Sequence, residues 1–371
     1  MSLIDLPSIR LLSLAARARG IPEQYEKLSG AVAGFQHWQD LPVIAEAQRM
    51  APLFYTHSKA AGIKLPEETR LQFQGVVLRH QSANWTRLQS LTEILKACAD
   101  QRQDVVLLKG AALAWTTYPK PGLRPMRDLD LLAPPGQVGQ LERILCDLGY
   151  QQAKPDPEAP RSARHHKDWS RQVAGLQVTV EAHHSLFDPT WQVNEPDIDA
   201  WFQRSREVKL ETATARTLSP EDMLWLTYQH MVNEEMRVIY FSDMISIAEQ
   251  YANEIDWQRV RKTMPAILAC LALLGGIVPI DCKLIQAANL PEVSTPVQVD
   301  ADLQGWPRIS LKQARSMGLP RSLIATLAPS EWWLRLYYGI LPGCSIWRAR
   351  YIDYPLDLVR RAWKHQQMHG K

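Results

Sequence analysis

The sequence predicts an α+β protein, a sheet-bearing core with helices before and after it, and three observations carry that prediction. Apolar residues recur at helical spacing over residues 71–99, LQFQGVVLRHQSANWTRLQSLTEILKACA. Between residues 105 and 183 the pattern changes to short apolar or alternating runs bounded by Gly and Pro, as in strands. After Ser219 it returns to helix. These shifts place an N-terminal helical segment over residues 1–100, a core over 101–215 and a helical domain over 216–371.

In the first helix, Leu88, Leu91, Leu95 and Cys98 share a face that packs on the centre of the protein. The run VVLLKG, Val105 to Gly110, reads as a buried strand, followed by a short helix, AALAWTTY. Three prolines and a glycine make YPKPGLRP, Tyr118 to Pro125, a loop. It feeds the strand MRDLDLL, which Pro134 and Pro135 end. Gly136 to Gly149 reads as a helix with Val138, Leu141, Ile144, Leu145 and Leu148 on one side, and QQAKPDPEAPRSAR as a polar loop.

Two strands, His166 to Val173 and Leu176 to His183, flank Ala174-Gly175, a two-residue hairpin turn. Strand alternation puts Glu181 on the face opposite Leu176, Val178 and Val180. Ser219-Pro220-Glu221-Asp222 is a helix start: a cap, proline at the first position and early acids.

Composition narrows the function classes. An apolar share of 46% with 22% charged residues is that of a folded globular chain. A formal net charge of +3 gives no general case for nucleic-acid binding. The five cysteines form no CxxC pair or His-Cys cluster, and they read as buried thiols in a reducing compartment, without structural zinc. The first residues, MSLIDLPSIRLLSLAARARG, lack the basic start and cleavage site of a signal peptide, so a cytoplasmic location is expected. The charge-free run Thr263 to Ile280 is interrupted by Pro265, Gly275, Gly276 and Pro279, and is expected to be a buried helix ending at the Gly pair, with no integral membrane span.

The residues that carry chemistry lie in RPMRDLDLLAPP. Asp128 and Asp130, two apart on a strand, point to one face while Leu129 and Leu131 point to the other. Two carboxylates so close repel unless a cation joins them, and a hard divalent ion, Mg²⁺ or Mn²⁺, resolves that repulsion and also accepts phosphate ligands. The bland alternative is a pair of solvated acids at a strand end. The Lys109-Gly110 turn opens a helix whose free N–H groups can receive a phosphate.

The stretch LLKGAALAWTTYPKPGLRPMRDLDLL, followed by VEAHHSL, resembles the uncharacterised bacterial nucleotidyltransferases of the DNA polymerase β superfamily, over about residues 70 to 250. The resemblance implies a polymerase β-like core with a mixed sheet. It implies that Lys109 and Gly110 begin the phosphate-facing helix, that Asp128 and Asp130 hold the metals, that Glu181 is the third carboxylate and that Arg124 lies at the site's edge. It also implies a nucleoside triphosphate as substrate. Where the wider superfamily has a Gly-Ser pair gripping the triphosphate, Gly110 here is followed by Ala111. Lys109 is the candidate replacement, as a point charge on a phosphate oxygen.

Other residues carry weaker signals. Zinc at His165, His166, His183 and His184 is disfavoured, since adjacent histidines on a strand point to opposite faces and no cysteine accompanies them. His183 alone shares the face of Glu181, as a group behind the site or one that binds the acceptor. His230 and Glu234 share a helix face, and hydrogen bonding between helices is favoured over ligand binding for His230, Arg237 and Asp243.

From Arg335 the chain has seven Lys/Arg (Arg335, Arg348, Arg350, Arg360, Arg361, Lys364, Lys371) against Asp353 and Asp357. Trp332, Trp333, Trp347 and Trp363 lie among them; stacking on RNA is possible but core packing is favoured. The expected reaction is NTP plus acceptor giving nucleotidylated acceptor and pyrophosphate, the acceptor being a small molecule, peptide, protein or RNA end. The alternative is a nucleotide-binding or interaction protein that kept the fold and lost turnover.

Overall fold

The computed structural model describes residues 6–153, 166–187, 193, 196–211, 213–234, 236–291, 327–341 and 343–369, with only the backbone of 362 and 364–369. Most of the expected proline-containing loop after Gln152, together with His165 and Lys371, lies outside the described residues, as does the side chain of Lys364.

Helices α1 (Leu6–Leu14), α2 (Pro22–Val32), α3 (Leu41–Ala47) and α4 (Ala51–Ala60) precede the long helix α5 (Glu67–Asp100). The core follows as β1 (Val106–Leu107), α6 (Lys109–Thr116), β2 (Asp128–Leu132), α7 (Val138–Asp147), β3 (Gln151–Gln152), β4 (His166–Val173), β5 (Leu176–His183), α8 (Ile198–Arg204), β6 (Arg206–Lys209) and β7 (Thr214–Thr217). Then come α9 (Pro220–Asn233), α10 (Val238–Gln250), α11 (Trp257–Thr263), α12 (Pro265–Gly275), α13 (Cys282–Ala288), α14 (Glu331–Tyr338) and α15 (Tyr354–His369). The expected α+β class holds.

Two compact units result. One comprises Gly75–Met223 with Trp363–Lys371, the other Met1–Gln74 with Leu224–Ala362. The first contains a seven-stranded mixed sheet in the order β3-β4-β5-β2-β1-β7-β6. β2 runs parallel to β5 and β1 parallel to β7, whereas β1–β2, β3–β4, β4–β5 and β6–β7 are antiparallel.

The hairpin turns at Ala174 and Gly175, whose φ values of 48° and 79° suit a two-residue turn that follows strand twist. Leu129 and Leu131 of β2 and Val178 and Val180 of β5 pack with Leu88, Leu91 and Leu95 of α5 and Leu141, Ile144 and Leu145 of α7. Each buried aliphatic contributes about 1.5–3 kcal/mol, so sheet and flanking helices form one core. Ser219 caps α9 by accepting from the Asp222 N–H at 3.2 Å, and Arg204 forks onto the Asp222 carboxylate.

Three expectations need correction here. β1 is shorter than the expected strand, because Lys109 turns into a left-handed conformation (φ 46°) and starts α6. Gln151–Gln152, taken as loop, joins the sheet edge, and β6 and β7 add a hairpin whose polar alternation gave little signal. The cysteines divide: Cys98 and Cys270 are buried, but Cys146, Cys282 and Cys344 are exposed. Cys146 lies on the solvent side of α7, whose other face buries Leu141, Ile144 and Leu145.

In the helical unit, Arg17 is buried and donates to the Pro279 carbonyl at 2.5 Å and to Glu249 at 2.7 Å, while His57 bonds the Arg17 carbonyl at 2.7 Å. The expected apolar helix is α12, buried from Ile267 to Leu274 and ending at the Gly pair. Among the described residues no helix is long and apolar enough to cross a membrane. Trp332 and Trp333 are core, with Trp333 Nε1 donating to the Val232 carbonyl, whereas Trp347 and Trp363 are 59% and 61% exposed.

Candidate functional site

Parallel pairing of β2 with β5 sets Asp128 opposite Thr179, Asp130 opposite Glu181 and Leu132 opposite His183. Side-chain alternation then brings Asp128 and Asp130 to the sheet face that carries Glu181 and His183, while Leu129 and Leu131 enter the core. The start of α6 is tied to the same strand, since the Leu108 N–H donates to the Asp130 carbonyl at 3.0 Å. The left-handed turn at Lys109 directs its side chain back across these acids. Lys109 Nζ lies 2.9 Å from Asp130 Oδ1 and 3.8 Å from Glu181 Oε2.

Two imidazoles complete the cluster. His183 Nε2 is 3.0 Å from Asp130 Oδ1 and 3.2 Å from Glu181 Oε2, and its Nδ1 faces the Ser185 carbonyl at 3.3 Å. His166 Nε2 is 3.1 Å from Asp168 and 3.8 Å from Glu181. Ligand atoms of His166, Glu181 and His183 all lie within 4.8 Å of one another.

Burial and charge set the protonation of this group. Burial, with the negative charges of Asp130 and Asp128, pushes Glu181 up to about 9. Burial acts on Asp130 in the same direction and most strongly, but the Lys109 ammonium and the His183 imidazole together override it and hold Asp130 well below the usual carboxylate range. Burial also pushes the His183 imidazole below the usual histidine range. A cation that displaced the Glu181 proton would leave Asp128, Asp130 and Glu181 with more negative charge than the Lys109 ammonium beside Asp130 and Glu181 balances. A divalent cation fits that deficit, with Asp128, Asp130 and Glu181 as oxygen donors and the two imidazoles beside them.

The predicted residues fall as follows. Asp128 is half-buried at the start of β2, and Gly110 and Ala111 are buried in the first turn of α6. Arg124 is buried: Nη1 donates to the Pro125 carbonyl at 2.8 Å, and Asn84 donates to the Arg124 carbonyl at 3.0 Å. A Cβ on Gly110 would come within 3.3 Å of Arg124 Nη1 and Met126 Cγ, so the guanidinium packs against the α6 turn.

Two residues were missed. His166, from the neighbouring strand, joins the face that His183 was expected to occupy alone. A two-residue turn pairs Val173 with Leu176 and, further down the ladder, His166 with His183, so the register contained that signal. Arg87 of α5 is 7% exposed, and its Nε and Nη1 make no hydrogen bond among the described residues. Burial lowers its pKa against the pull of Asp128; nothing in the helical pattern marked it. Outside this cluster, His230 Nδ1 meets Glu234, four residues on, at 2.6 Å, and Glu234 accepts from Tyr240 of α10 at 3.0 Å.

Solved structures similar to the chain include the solution structure of the antibiotic-resistance factor ANT(2'')-Ia, 13% identical, covering 69% of this chain and 97% of that one, with a TM-score of 0.27. ANT(2'')-Ia in complex with adenylyl-2''-tobramycin is 14% identical, covers 66% and 96%, and has a TM-score of 0.26. An antigenic nucleotidyltransferase-like protein from Paracoccidioides brasiliensis is 13% identical, covers 57% and 96%, and has a TM-score of 0.33. At such TM-scores the likeness carries no weight. No curated protein matches the chain. The family model described as "Uncharacterised nucleotidyltransferase" matches residues 36–275, which include every residue of the cluster. The chain therefore belongs to the uncharacterised nucleotidyltransferase family of enzymes.

Proposed function

We propose that the chain transfers a nucleoside monophosphate from NTP to an acceptor, releasing pyrophosphate, with Mg²⁺ or Mn²⁺ held by Asp128, Asp130 and Glu181. The observation that carries this reading is the pairing of Asp130 with Glu181 across two parallel strands, with the Lys109 ammonium on both carboxylates. Bound there, the divalent ions supply positive charge to the α-phosphate and to the leaving pyrophosphate oxygens.

The protein's own groups do the rest. Lys109, at the opening of α6, moves from the carboxylates to a phosphate oxygen, and the N–H groups of Gly110 and Ala111 face the phosphates. The acceptor oxygen forms its bond to the α-phosphorus as the bond to the β-phosphate oxygen breaks, and Glu181 takes the acceptor's proton. Asp128 and Asp130 hold their position because Leu129 and Leu131 are locked in the core. The five free thiols suit a reducing, cytoplasmic compartment. Small molecules, peptides and proteins are favoured as acceptors over RNA, for which burial of Trp332 and Trp333 removes two stacking groups.

The test is incubation with each α-labelled NTP, Mg²⁺ and cell extract, followed by location of the label. A labelled product that requires Asp130 is expected. Nucleotide binding without product from any NTP would favour the second reading, a binding protein without turnover. Ala111 supports that alternative, because it offers no hydroxyl to the triphosphate.

A further inference from the structure

We infer that the metal site of this chain has a nitrogen ligand, His183 Nε2, beside Asp130 and Glu181, and therefore takes Mn²⁺ or another first-row transition ion in preference to Mg²⁺. The inference rests on the transferase reading for the presence of a metal, and adds which ion and which atoms.

The orientation of His183 is fixed from behind. Its Nδ1 faces the Ser185 carbonyl at 3.3 Å, an acceptor that suits a proton on Nδ1 when Nε2 is bonded to a metal. Its Nε2 points the other way, at Asp130 Oδ1 at 3.0 Å and Glu181 Oε2 at 3.2 Å. At 0% exposure of the imidazole, one ring nitrogen and two carboxylate oxygens thus stand together, a donor set that a shared cation would bind. A backbone carbonyl that fixes the tautomer of an imidazole is the usual support behind a metal-bound histidine.

The spacing suits such an ion. Ligands bonded at about 2.0–2.2 Å to a tetrahedral or octahedral centre stand about 2.8–3.6 Å apart, and the two separations from Nε2 fall in that range. Lys109 Nζ, 2.9 Å from the same Asp130 oxygen, marks where positive charge is accommodated beside these ligands. Imidazole suits Fe²⁺, Ni²⁺ and Zn²⁺, and Mn²⁺, the weakest binder of the first-row series, accepts it alongside carboxylates, whereas Mg²⁺ keeps to oxygen. His166 stands differently, with Nε2 3.1 Å from the Asp168 carboxylate, so we assign it to the rim of the site.

Pulsed EPR of the full chain with Mn²⁺ alone and with Mn²⁺ plus ATP tests this directly. A ¹⁴N coupling to the bound ion is expected in both, and it should vanish when the protein is made with ¹⁵N-histidine, a control that needs no mutation of a buried residue. H183N should lose the coupling and weaken Mn²⁺ about 10–100-fold, whereas H166A should keep the coupling. Mn²⁺ bound without histidine nitrogen would overturn this inference and leave the transferase reading standing. No Mn²⁺ bound under either condition would overturn both, and loss of the coupling in H166A but not H183N would overturn the assignment to His183.

Discussion

Asp130 and Glu181 face each other across one step of a parallel strand pair, and the Lys109 ammonium reaches both, at 2.9 and 3.8 Å. Two acids 51 residues apart in sequence become one charge cluster through register alone. Most of the testable consequences follow from that cluster.

Asp128→Asn and Asp130→Asn should each lower label transfer by about 10³-fold or more, the scale expected when stabilisation of transferring phosphate charge is removed. The two should differ in stability. Half-buried Asp128 can be replaced with little change in melting temperature, whereas Asp130, 2% exposed, leaves Lys109 without its nearest carboxylate. Equal melting temperatures with full activity in both would place the metal site elsewhere.

Lys109→Met removes the ammonium and leaves Asp130 and Glu181 facing each other uncompensated. We expect a loss of about 1–3 kcal/mol in the absence of metal, discounted for the 24% exposure of the lysine side chain. Mn²⁺ should raise the melting temperature of the variant more than that of the natural protein. Identical Mn²⁺ responses would show that the lysine and the metal do not share the carboxylates.

Arg87 is a buried guanidinium with two N–H groups lacking partners among the described residues. Arg87→Met should change stability little, since it removes two buried nitrogens without partners among the described residues while Asp128 loses a nearby positive charge. If those N–H groups await a phosphate, the same change should weaken NTP binding by about 10-fold or more in calorimetric titration. Unchanged affinity would exclude that role.

Ala174 occupies a left-handed conformation at φ 48° that a glycine or asparagine accepts with less strain. Ala174→Gly should stabilise the protein by about 0.5–1 kcal/mol, seen as a higher denaturant midpoint, with transfer activity unaltered. A lower midpoint would show that the turn is not under strain.

Thiol titration checks the division of the cysteines. Cys146, Cys282 and Cys344 should react in the native protein, while Cys98, pushed up to about 12 by burial, and Cys270, raised further by the same cause, should react only after unfolding.

Much of this site was legible in the sequence because strand alternation is a local rule. Asp128, Asp130 and Glu181 could be assigned to a face from their immediate neighbours, and the opposing leucines and valines are indeed core. The Ala174-Gly175 turn was readable for the same reason, and its register also implied the His166–His183 pair. What sequence could not give depends on contacts between distant segments. The burial of Arg124 follows from Asn84 on α5 and the closeness of Gly110, and the position of Arg87 from the packing of a helix with no distinctive charge pattern. The length of β1 was misjudged because a lysine adopting a left-handed φ leaves no trace in hydrophobic periodicity.

Among the described residues all seven strands lie within Gly75–Met223, while the helical unit draws on Met1–Gln74 and on Leu224–Ala362. A ribosome releasing this chain therefore presents a complete sheet before the second half of the helical unit has been made. Arg17 must wait more than 230 residues for Glu249. The first helices are thus the part of the nascent protein with apolar surface still uncovered, the stage at which a chaperone has most to do and a stalled product is most prone to aggregate.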